Sequence, residues 1–297
     1  MNCKVLITGI TGFVGKAIAK RLASLSYRIV GVGRKDSANV DFSIEYYRAD
    51  ITELDDLSRV ISVTHPDIIV HCAAAITNEN LAKDLIDANV RGTTNLINIA
   101  IDYGVKKFIY ISSLPIIGIP QECPITEEHP VYPQTTYHLT KYFGELLLEN
   151  SAKTMDYIIL RLPSPVGVGM PNNKILTVFI SKCLKHESLI LLGKGGRMQN
   201  YIDVRDIANA VECSIQSNTK GIYNIAADQS YSNYELAKMC KAVLLSKSEI
   251  LFNGVDADED IKWVYSTQKA QKKLHFSAII PLEQTISDIA HSMQIKS

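Results

Sequence analysis

The chain has 297 residues, in which 31 lysines and arginines balance 31 aspartates and glutamates. A formal net charge of zero leaves no excess field to attract nucleic acid or an anionic membrane, so a charged ligand has to be recognised locally. The N-terminal residues enter an apolar run at once, without the basic region and cleavage site of a signal peptide. No apolar run approaches the roughly 20 residues needed to cross a bilayer. We therefore expect a cytoplasmic protein.

Short apolar runs alternate with amphipathic stretches along the first half of the chain. The apolar runs predict strands at residues 4–8, 28–33, 44–49, 67–72, 107–112 and 157–162. The amphipathic stretches predict helices at residues 13–25, 53–63, 80–103 and 134–152. Strand–helix alternation of this kind predicts an α/β fold, a doubly wound parallel sheet with helices on both faces.

The pattern changes after residue 162. Pro163 and Pro165 interrupt the alternation, and the glycine-rich residues 193–196 add a flexible stretch. We expect a first lobe at residues 1–162 and a smaller, interleaved C-terminal lobe that takes up most of residues 163–297. A strand, a helix and a strand predicted within residues 200–226 are expected to return to the first lobe.

The six cysteines are scattered, with no Cys-x-x-Cys pair and no histidine at zinc-ligand spacing. We interpret them as reduced thiols and expect no metal site. Cys72, at the end of an apolar strand, is a conceivable nucleophile, but a buried cysteine usually behaves as a small hydrophobe. We favour the structural role.

Gly9, Gly12 and Gly15 directly follow the first predicted strand and open the first helix. Lack of a side chain permits a tight turn and lets the backbone approach a pyrophosphate, while free amides at the helix N-terminus attract its charge. A tight turn with no ligand is the alternative, and the place of the glycines in an alternating sheet argues against it. We predict that residues 1–162 bind a dinucleotide.

Tyr137 and Lys141 lie four residues apart on a predicted helix and so share one face. A phenol ordinarily ionises near pH 10, but an adjacent ammonium, together with the positive charge of an oxidised nicotinamide, lowers its pKa. Ser113, at the end of the fifth strand, is placed to hydrogen-bond the same substrate oxygen, with Ser112 as support. This set predicts exchange between a hydroxyl and a carbonyl, although an ordinary amphipathic pair is commoner for an isolated Tyr-x-x-x-Lys.

Seven motifs in order resemble the extended short-chain dehydrogenase/reductase family, the nucleotide-sugar epimerases, dehydratases and reductases. The resemblance covers nearly the whole chain. The motifs are Thr8-Gly-x-x-Gly-x-x-Gly15, Asp50-Ile51, His71-Cys-Ala-Ala74, Asn89-Val-Arg-Gly-Thr93, Ser112-Ser113, Tyr137-His-Leu-Thr-Lys141 and Arg161-Leu-Pro-Ser-Pro-Val-Gly167.

The resemblance implies a role for each motif. Ser113, Tyr137 and Lys141 would be catalytic, and Asp50 with Ile51 would contact the adenine. Taken by itself, Asp50 is equally well interpreted as a carboxylate that caps a helix. The residues implied to bind the cofactor are Gly9, Thr11, Gly12, Phe13, Val14, Gly15, Arg34, Asp50, Ile51, Ala73, Ala74, Tyr137 and Lys141.

The end of the second strand bears on the choice of cofactor. Members of the family that bind NAD usually carry an acid there for the ribose hydroxyls, but this chain has Gly33 followed by Arg34 and Lys35. The two cations suit a 2′-phosphate, which an acid would repel. We therefore prefer NADP over NAD, although Asp36 close by weakens the field and a solvated surface turn is the alternative.

The substrate motifs depart from the family. A 4,6-dehydratase would carry an Asp-Glu pair where this chain has Leu114-Pro115, which argues against sugar dehydration. Family epimerases commonly have Asn at Ser164 and a diphosphate-binding Arg at Gln199. Arg197, with Lys194, is a candidate for the diphosphate instead, and a solvated turn is the alternative. Ser164, Arg197 and Gln199 are our candidate substrate contacts in the second lobe.

Two hypotheses for an enzymatic activity remain, an NAD(P)-dependent nucleotide-sugar epimerase and a 4-ketoreductase. An epimerase regenerates its cofactor in each turnover, whereas a reductase consumes NADPH. A reductase of another carbonyl substrate and a non-catalytic dinucleotide sensor are further alternatives, although sensing does not require Ser113, Tyr137 or Lys141. The resemblance also implies a homodimer that pairs through the predicted helices at residues 80–103 and 134–152.

Overall fold

The structure, a computed structural model, describes residues 3–76, 83–151 and 155–295. No helix within these ranges is both long and apolar enough to cross a membrane. The strands are β1 Lys4–Thr8, β2 Arg28–Gly33, β3 Glu45–Arg48, β4 Ile68–His71, β5 Lys107–Ser113, β6 Asp156–Leu162, β7 Ser164–Val166, β8 Leu189–Leu192, β9 Met198–Asp203, β10 Gly221–Asn224, β11 Ser230–Ser232 and β12 Ile250–Asn253.

The helices cover both faces of the main sheet and build the second lobe. They are α1 Phe13–Ser24, α2 Leu54–Thr64, α3 Lys83–Ile86, α4 Thr93–Asp102, α5 Thr136–Ser151, α6 Ile175–Leu184, α7 Val204–Gln216, α8 Asn233–Val243, α9 Gln268–Leu274 and α10 Leu282–Ile295. A π-helical segment, Asp87–Gly92, joins α3 to α4, and a 3₁₀ turn, Leu114–Ile117, follows β5.

Seven parallel strands form the main sheet in the order β10-β6-β5-β4-β1-β2-β3. The order reverses between β1 and β4, which is the point where ligands bind in sheets of this type. The predicted doubly wound α/β fold is confirmed.

Alternate residues of each central strand are buried on opposite faces of this sheet. In β1, Val5 and Ile7 belong to the core under α1 and α7, while Leu6 belongs to the core under α2 and α4. Burial on both faces explains why these strands read as continuous apolar runs rather than as alternating ones.

A third core lies in the C-terminal part of the chain, where α6, α8 and α10 pack together around residues such as Leu176, Leu236 and Ile286. Here β9 pairs with β7 and β11 in a three-stranded sheet, so the strand that we placed near residues 200–204 lies there rather than in the main sheet. Helix α7 then packs on α1, and β10 extends the main sheet beyond β6.

Two predicted helices extend beyond the described residues. The helix predicted at residues 80–103 is interrupted by the π-helical segment, and its first residues, 80–82, lie outside the described residues. The helix predicted at residues 134–152 is α5, and residue 152 also lies outside the described residues.

Candidate active site

The loop between β1 and α1 turns tightly because its glycines leave space that side chains would fill. Gly9 has a left-handed φ of 67°, and a Cβ there would lie 2.7 Å from the backbone nitrogen of Ala73. A Cβ on Gly15 would lie 2.3 Å from the carbonyl oxygen of Gly9. The bare backbone leaves the N-terminus of α1 open to an anion, which the helix dipole attracts.

A cavity of about 510 Å³ lies in front of this loop, where the carboxyl ends of β1, β2 and β4 meet. Such a volume, with bare backbone at one end, fits part of a dinucleotide. The predicted cofactor residues on its wall are Gly9, Thr11, Gly12, Arg34, Asp50, Ile51, Ala73 and Ala74.

The side chains of Phe13 and Val14 are placed elsewhere. Phe13 packs against the third core, and Val14 packs against the core under α1. Gly15 is buried behind the loop. We expect any contribution of these three residues to an anion site to come from the backbone of the first helical turn.

The end of β2 brings Arg34 and Lys35 to the cavity wall beside Gly33. The hydroxyl of Tyr46 donates to the carbonyl of Lys35 at 2.6 Å, and a Cβ on Gly33 would lie 3.0 Å from the same hydroxyl. Asp36 pairs with Arg48 at 2.8 Å, in an exposed ion pair. The acid that directly follows Arg34 and Lys35 in the sequence is therefore engaged by a cation from β3.

Asp50 lies just before α2, whose N-cap residue is Glu53. Its carboxylate accepts from the amide and the hydroxyl of Thr52, at 3.0 and 2.9 Å, in the turn before α2. The same residue lies on the wall of the cavity. The turn contacts therefore hold Asp50 on the cavity wall, and its contact with an adenine stays a prediction.

Helix α5 carries Tyr137 and Lys141 on one face. Lys141 is buried, and burial lowers the pKa of its ammonium to about 8. Burial raises the pKa of Tyr137 to about 12. The ammonium of Lys141 lies over the ring of Tyr110. The predicted lowering of the Tyr137 pKa, which needs both this ammonium and an oxidised nicotinamide, stays a prediction.

Ser112 and Ser113 end β5 with different surroundings. Ser112 donates to the carboxylate of Glu145, which in turn takes a bidentate contact from Arg161, with Nη2 to Oε2 at 2.7 Å. Both charged side chains are almost completely buried. This network fastens α5 to β5 and β6, and it engages the hydroxyl of Ser112 but not that of Ser113.

A second cavity, of about 520 Å³, lies beyond the first turn of α5. Its wall holds all three candidate substrate contacts, Ser164, Arg197 and Gln199, and the hydroxyl of Ser164 lies 3.5 Å from Oε1 of Gln199. Thr135 and His138, on either side of Tyr137 in sequence, also line it.

Tyr137 and Lys141 lie on the wall of neither cavity, but each adjoins a residue of one wall. Towards the first cavity, the charge of Lys141 acts on the pKa of Cys72, a wall residue. On the side of the second cavity, the ring centroid of Tyr137 lies 5.3 Å from that of His138, a wall residue. Burial raises the pKa of Cys72 to about 12, which favours the protonated thiol over the nucleophilic thiolate.

A family model supplies the deciding comparison. The model of the NAD dependent epimerase/dehydratase family matches residues 5–226. The chain belongs to this family. The match confirms the resemblance to the extended short-chain dehydrogenases/reductases.

Relatives with known names agree with this family assignment. The chain is 25% identical over 323 residues to UDP-glucose 4-epimerase of Bacillus subtilis, covering 96% of this chain and 95% of that protein. Its fold matches that of UDP-N-acetylglucosamine 4-epimerase from Methanobrevibacter ruminantium in complex with UDP-N-acetylmuramic acid, with a TM-score of 0.90, 21% identity and coverage of 100% and 99%. It also matches Thermus thermophilus UDP-glucose 4-epimerase in complex with NAD, with a TM-score of 0.86, 19% identity and coverage of 98% and 99%.

The site also contains a residue, Asn89, whose hydrogen-bond partners we did not predict. Asn89, in the π-helical segment, accepts from the amide of Ala75 at 2.8 Å and donates to its carbonyl and to the hydroxyl of Thr140, both at 3.0 Å. Asn89 thus ties the loop after β4 to α5, one residue before Lys141. The Asn-Val-Arg-Gly-Thr motif marked its position, but these partners, 14 and 51 residues away, leave no local signal.

Proposed function

We propose that this member of the family is an NAD(P)-dependent nucleotide-sugar 4-epimerase. The observation that carries the proposal is that Lys141 adjoins Cys72, on the wall of the glycine-loop cavity, while Tyr137 adjoins His138, on the wall of the second cavity. A group that exchanges a proton has to lie where cofactor and substrate meet. The names of the relatives support the 4-epimerase reading over other reactions of the family.

The proposed roles follow from the positions of three side chains. A bound nicotinamide supplies a hydride acceptor and donor. The hydroxyl of Tyr137 exchanges the proton of the substrate oxygen, and Lys141 favours the phenolate when the oxidised ring adds its positive charge. Ser113 hydrogen-bonds the same oxygen, a role that its neighbour Ser112 cannot share while it donates to Glu145. Epimerisation then needs no further acid or base.

We prefer NADP as the cofactor. Arg34 and Lys35 lie on the cavity wall where an acid would repel a 2′-phosphate, and Asp36 is engaged by Arg48. The family name and the solved relative from Thermus thermophilus both concern NAD, so NAD is the alternative to be compared directly.

The same cations favour a second candidate, an NADPH-dependent 4-ketoreductase. A reductase consumes its cofactor, and cells keep the two cofactor pools for different uses, so a site for NADP(H) fits net reduction better than an internally recycled hydride. Both candidates use Tyr137, Ser113 and Lys141 in the same roles. Dehydration fits less well, because Leu114 and Pro115, in the 3₁₀ turn after β5, cannot exchange protons.

The experiment is a panel of nucleotide sugars and their 4-keto derivatives, each incubated with the purified protein with and without NADPH. Interconversion of 4-epimers without net cofactor change supports the epimerase, and stoichiometric loss of NADPH supports the ketoreductase. Tyr137→Phe should abolish either activity, while Tyr103→Phe, an exposed tyrosine at the end of α4, should retain it. Inactivity on every member would contradict both candidates and leave a different carbonyl substrate or a dinucleotide sensor.

A further inference from the structure

On the wall of the second cavity, Arg197 forms ion pairs with two aspartates, Asp256 and Asp258. Arg197 Nε lies 3.1 and 3.0 Å from the two carboxylate oxygens of Asp256, and its Nη2 lies 2.6 Å from Asp258 Oδ2. The contacts to Asp256 raise the pKa of Arg197 and lower the pKa of Asp256. The guanidinium is therefore a fixed, compensated charge rather than a free cation.

The two acids occupy different positions. The side chain of Asp256 is 3% exposed and accepts the bidentate contact, so it fixes the orientation of the guanidinium. The side chain of Asp258 is 48% exposed, contacts Nη2 alone and lies on the cavity wall beside Arg197. Asp256 thus holds the guanidinium in place, and Asp258 faces the cavity.

The backbone keeps this arrangement in place. Gly193 and Gly196 pack against Glu259, where a Cβ on either glycine would lie within 2.6 Å of its side chain. The Glu259 carboxylate accepts from the amide of Lys194 at 2.8 Å, and the amide of Asp258 donates to Asp256. The turn at residues 256–259 and the glycine-rich residues 193–196 therefore pack together, and this packing fixes the backbone at Asp258.

The rest of the cavity wall offers an anion little compensation. Apart from Arg197 and Asp258, the residues on it are uncharged at neutral pH, since burial lowers the pKa of His138. One cation facing two carboxylates leaves this cluster with a net negative charge. A diphosphate that contacts Arg197 in this cavity also comes close to Asp258, and like charges at close range disfavour each other.

We propose that Asp258 is a specificity-determining residue that competes with a ligand diphosphate for Arg197. A nucleoside diphosphate has to displace the Asp258 carboxylate from Nη2, so Asp258 weakens the binding of the anionic group and leaves recognition to the uncharged parts of the ligand. The inference rests on the proposed function in taking a nucleotide sugar as the ligand, and it names the residue that sets its affinity.

The test measures binding rather than turnover. Calorimetry with uridine diphosphate should show affinity for Asp258→Asn about tenfold tighter than for the wild type, because the amide keeps the shape and loses the repelling charge. Asp260→Asn is the matched control, since it removes the same charge from an exposed neighbour outside the Arg197 cluster, and it should change affinity less than twofold. Arg197→Met should abolish the gain when combined with Asp258→Asn.

Uridine and inorganic pyrophosphate separate this inference from the proposed function. Asp258→Asn should leave uridine binding unchanged and tighten pyrophosphate binding. Equal diphosphate affinities in Asp258→Asn, Asp260→Asn and the wild type overturn the inference, even when the protein interconverts nucleotide sugars. A selective gain for diphosphate and pyrophosphate supports it, even when no nucleotide sugar is turned over and the proposed function fails.

Discussion

The ammonium of Lys141 lies 4.1 Å from the centroid of the Tyr110 ring. The face of an aromatic ring stabilises a nearby cation, which matters for an ammonium held in a buried position. Gly144 makes the arrangement possible, because a Cβ there would lie 2.4 Å from the Tyr110 hydroxyl. Burial still has the larger effect and lowers the pKa of Lys141 to about 8, so the charge of this residue changes within an accessible pH range.

This pKa predicts a pH dependence of cofactor binding. The pKa of Lys141 lies below that of an ordinary lysine, so its ammonium is present below about pH 8 and is lost above it. If the ammonium contacts the cofactor as the resemblance implies, the affinity for the cofactor should fall about tenfold from about pH 7 to well above pH 8. Fluorescence titration at several pH values measures this, and Lys141→Met should bind weakly with a flat profile. A wild-type profile as flat as that of the variant would contradict the contact.

Arg34→Ala tests the choice of cofactor. Loss of the guanidinium should weaken NADPH binding by about tenfold or more and leave NADH binding nearly unchanged, because only NADPH carries the 2′-phosphate. Lys220→Ala removes the same charge just before β10, at the opposite edge of the sheet, and serves as the control. Tighter binding of NADH than of NADPH by the wild type, with Arg34→Ala harmless to both, would refute the preference for NADP.

His71 predicts how stability responds to acid. Its ring is fully buried between the hydroxyls of Thr8 and Thr93, at 2.7 and 3.0 Å, and burial lowers its pKa to about 3. Between about pH 6.5 and 3 the unfolded chain binds a proton that the folded protein does not. The neutral ring therefore stabilises the fold above pH 6.5, and this contribution falls as the pH decreases, by up to about 1.4 kcal/mol per pH unit.

Urea denaturation at neutral and mildly acidic pH measures this effect. His71→Gln should lower the free energy of unfolding at neutral pH and show a shallower loss towards acid than the wild type. His291→Gln, at an exposed position in α10, is the control and should keep the wild-type slope. Parallel slopes for the wild type and His71→Gln would contradict the assignment.

Helix α5 exposes apolar side chains that a homodimer would cover. Leu139, Phe143 and Leu146 are each between 39% and 57% exposed on this helix. We propose that two copies pair through α4 and α5, and Leu139→Glu should then shift sedimentation towards the monomer. Ile190→Glu places the same charge at a side chain of matching exposure, 55%, on β8 and should not change the oligomeric state. A monomeric wild type would show the proposal to be wrong.

Much of the first lobe could be predicted from local sequence. The bounds of β1 and β2 match the prediction, because buried parallel strands are short apolar runs and glycines mark the turn that follows β1. Tyr137 and Lys141 were predicted to share a helix face because four residues make about one helical turn, and α5 carries both.

Features that depend on distant partners could not be predicted in this way. The contact of the Lys141 ammonium with the ring of Tyr110, a residue of another element, leaves no signal in the local spacing. Arg197 was predicted as a candidate for the diphosphate, and its ion pairs could not be predicted because the two acids lie about 60 residues further along the chain. The buried pair of Glu145 and Arg161 likewise depends on how α5 packs on β6.

The most direct test of the central claim follows the hydrogen at the reacting carbon. UDP-glucose carrying deuterium at C4 would be incubated with the protein and oxidised cofactor, and its 4-epimer would be examined by NMR and mass spectrometry. The account predicts that the product retains the deuterium at C4, because the hydride leaves and returns without exchange with water, and that Tyr137→Phe forms almost no product. Product in which solvent hydrogen has replaced the deuterium, or product formed at the wild-type rate by Tyr137→Phe, would contradict it.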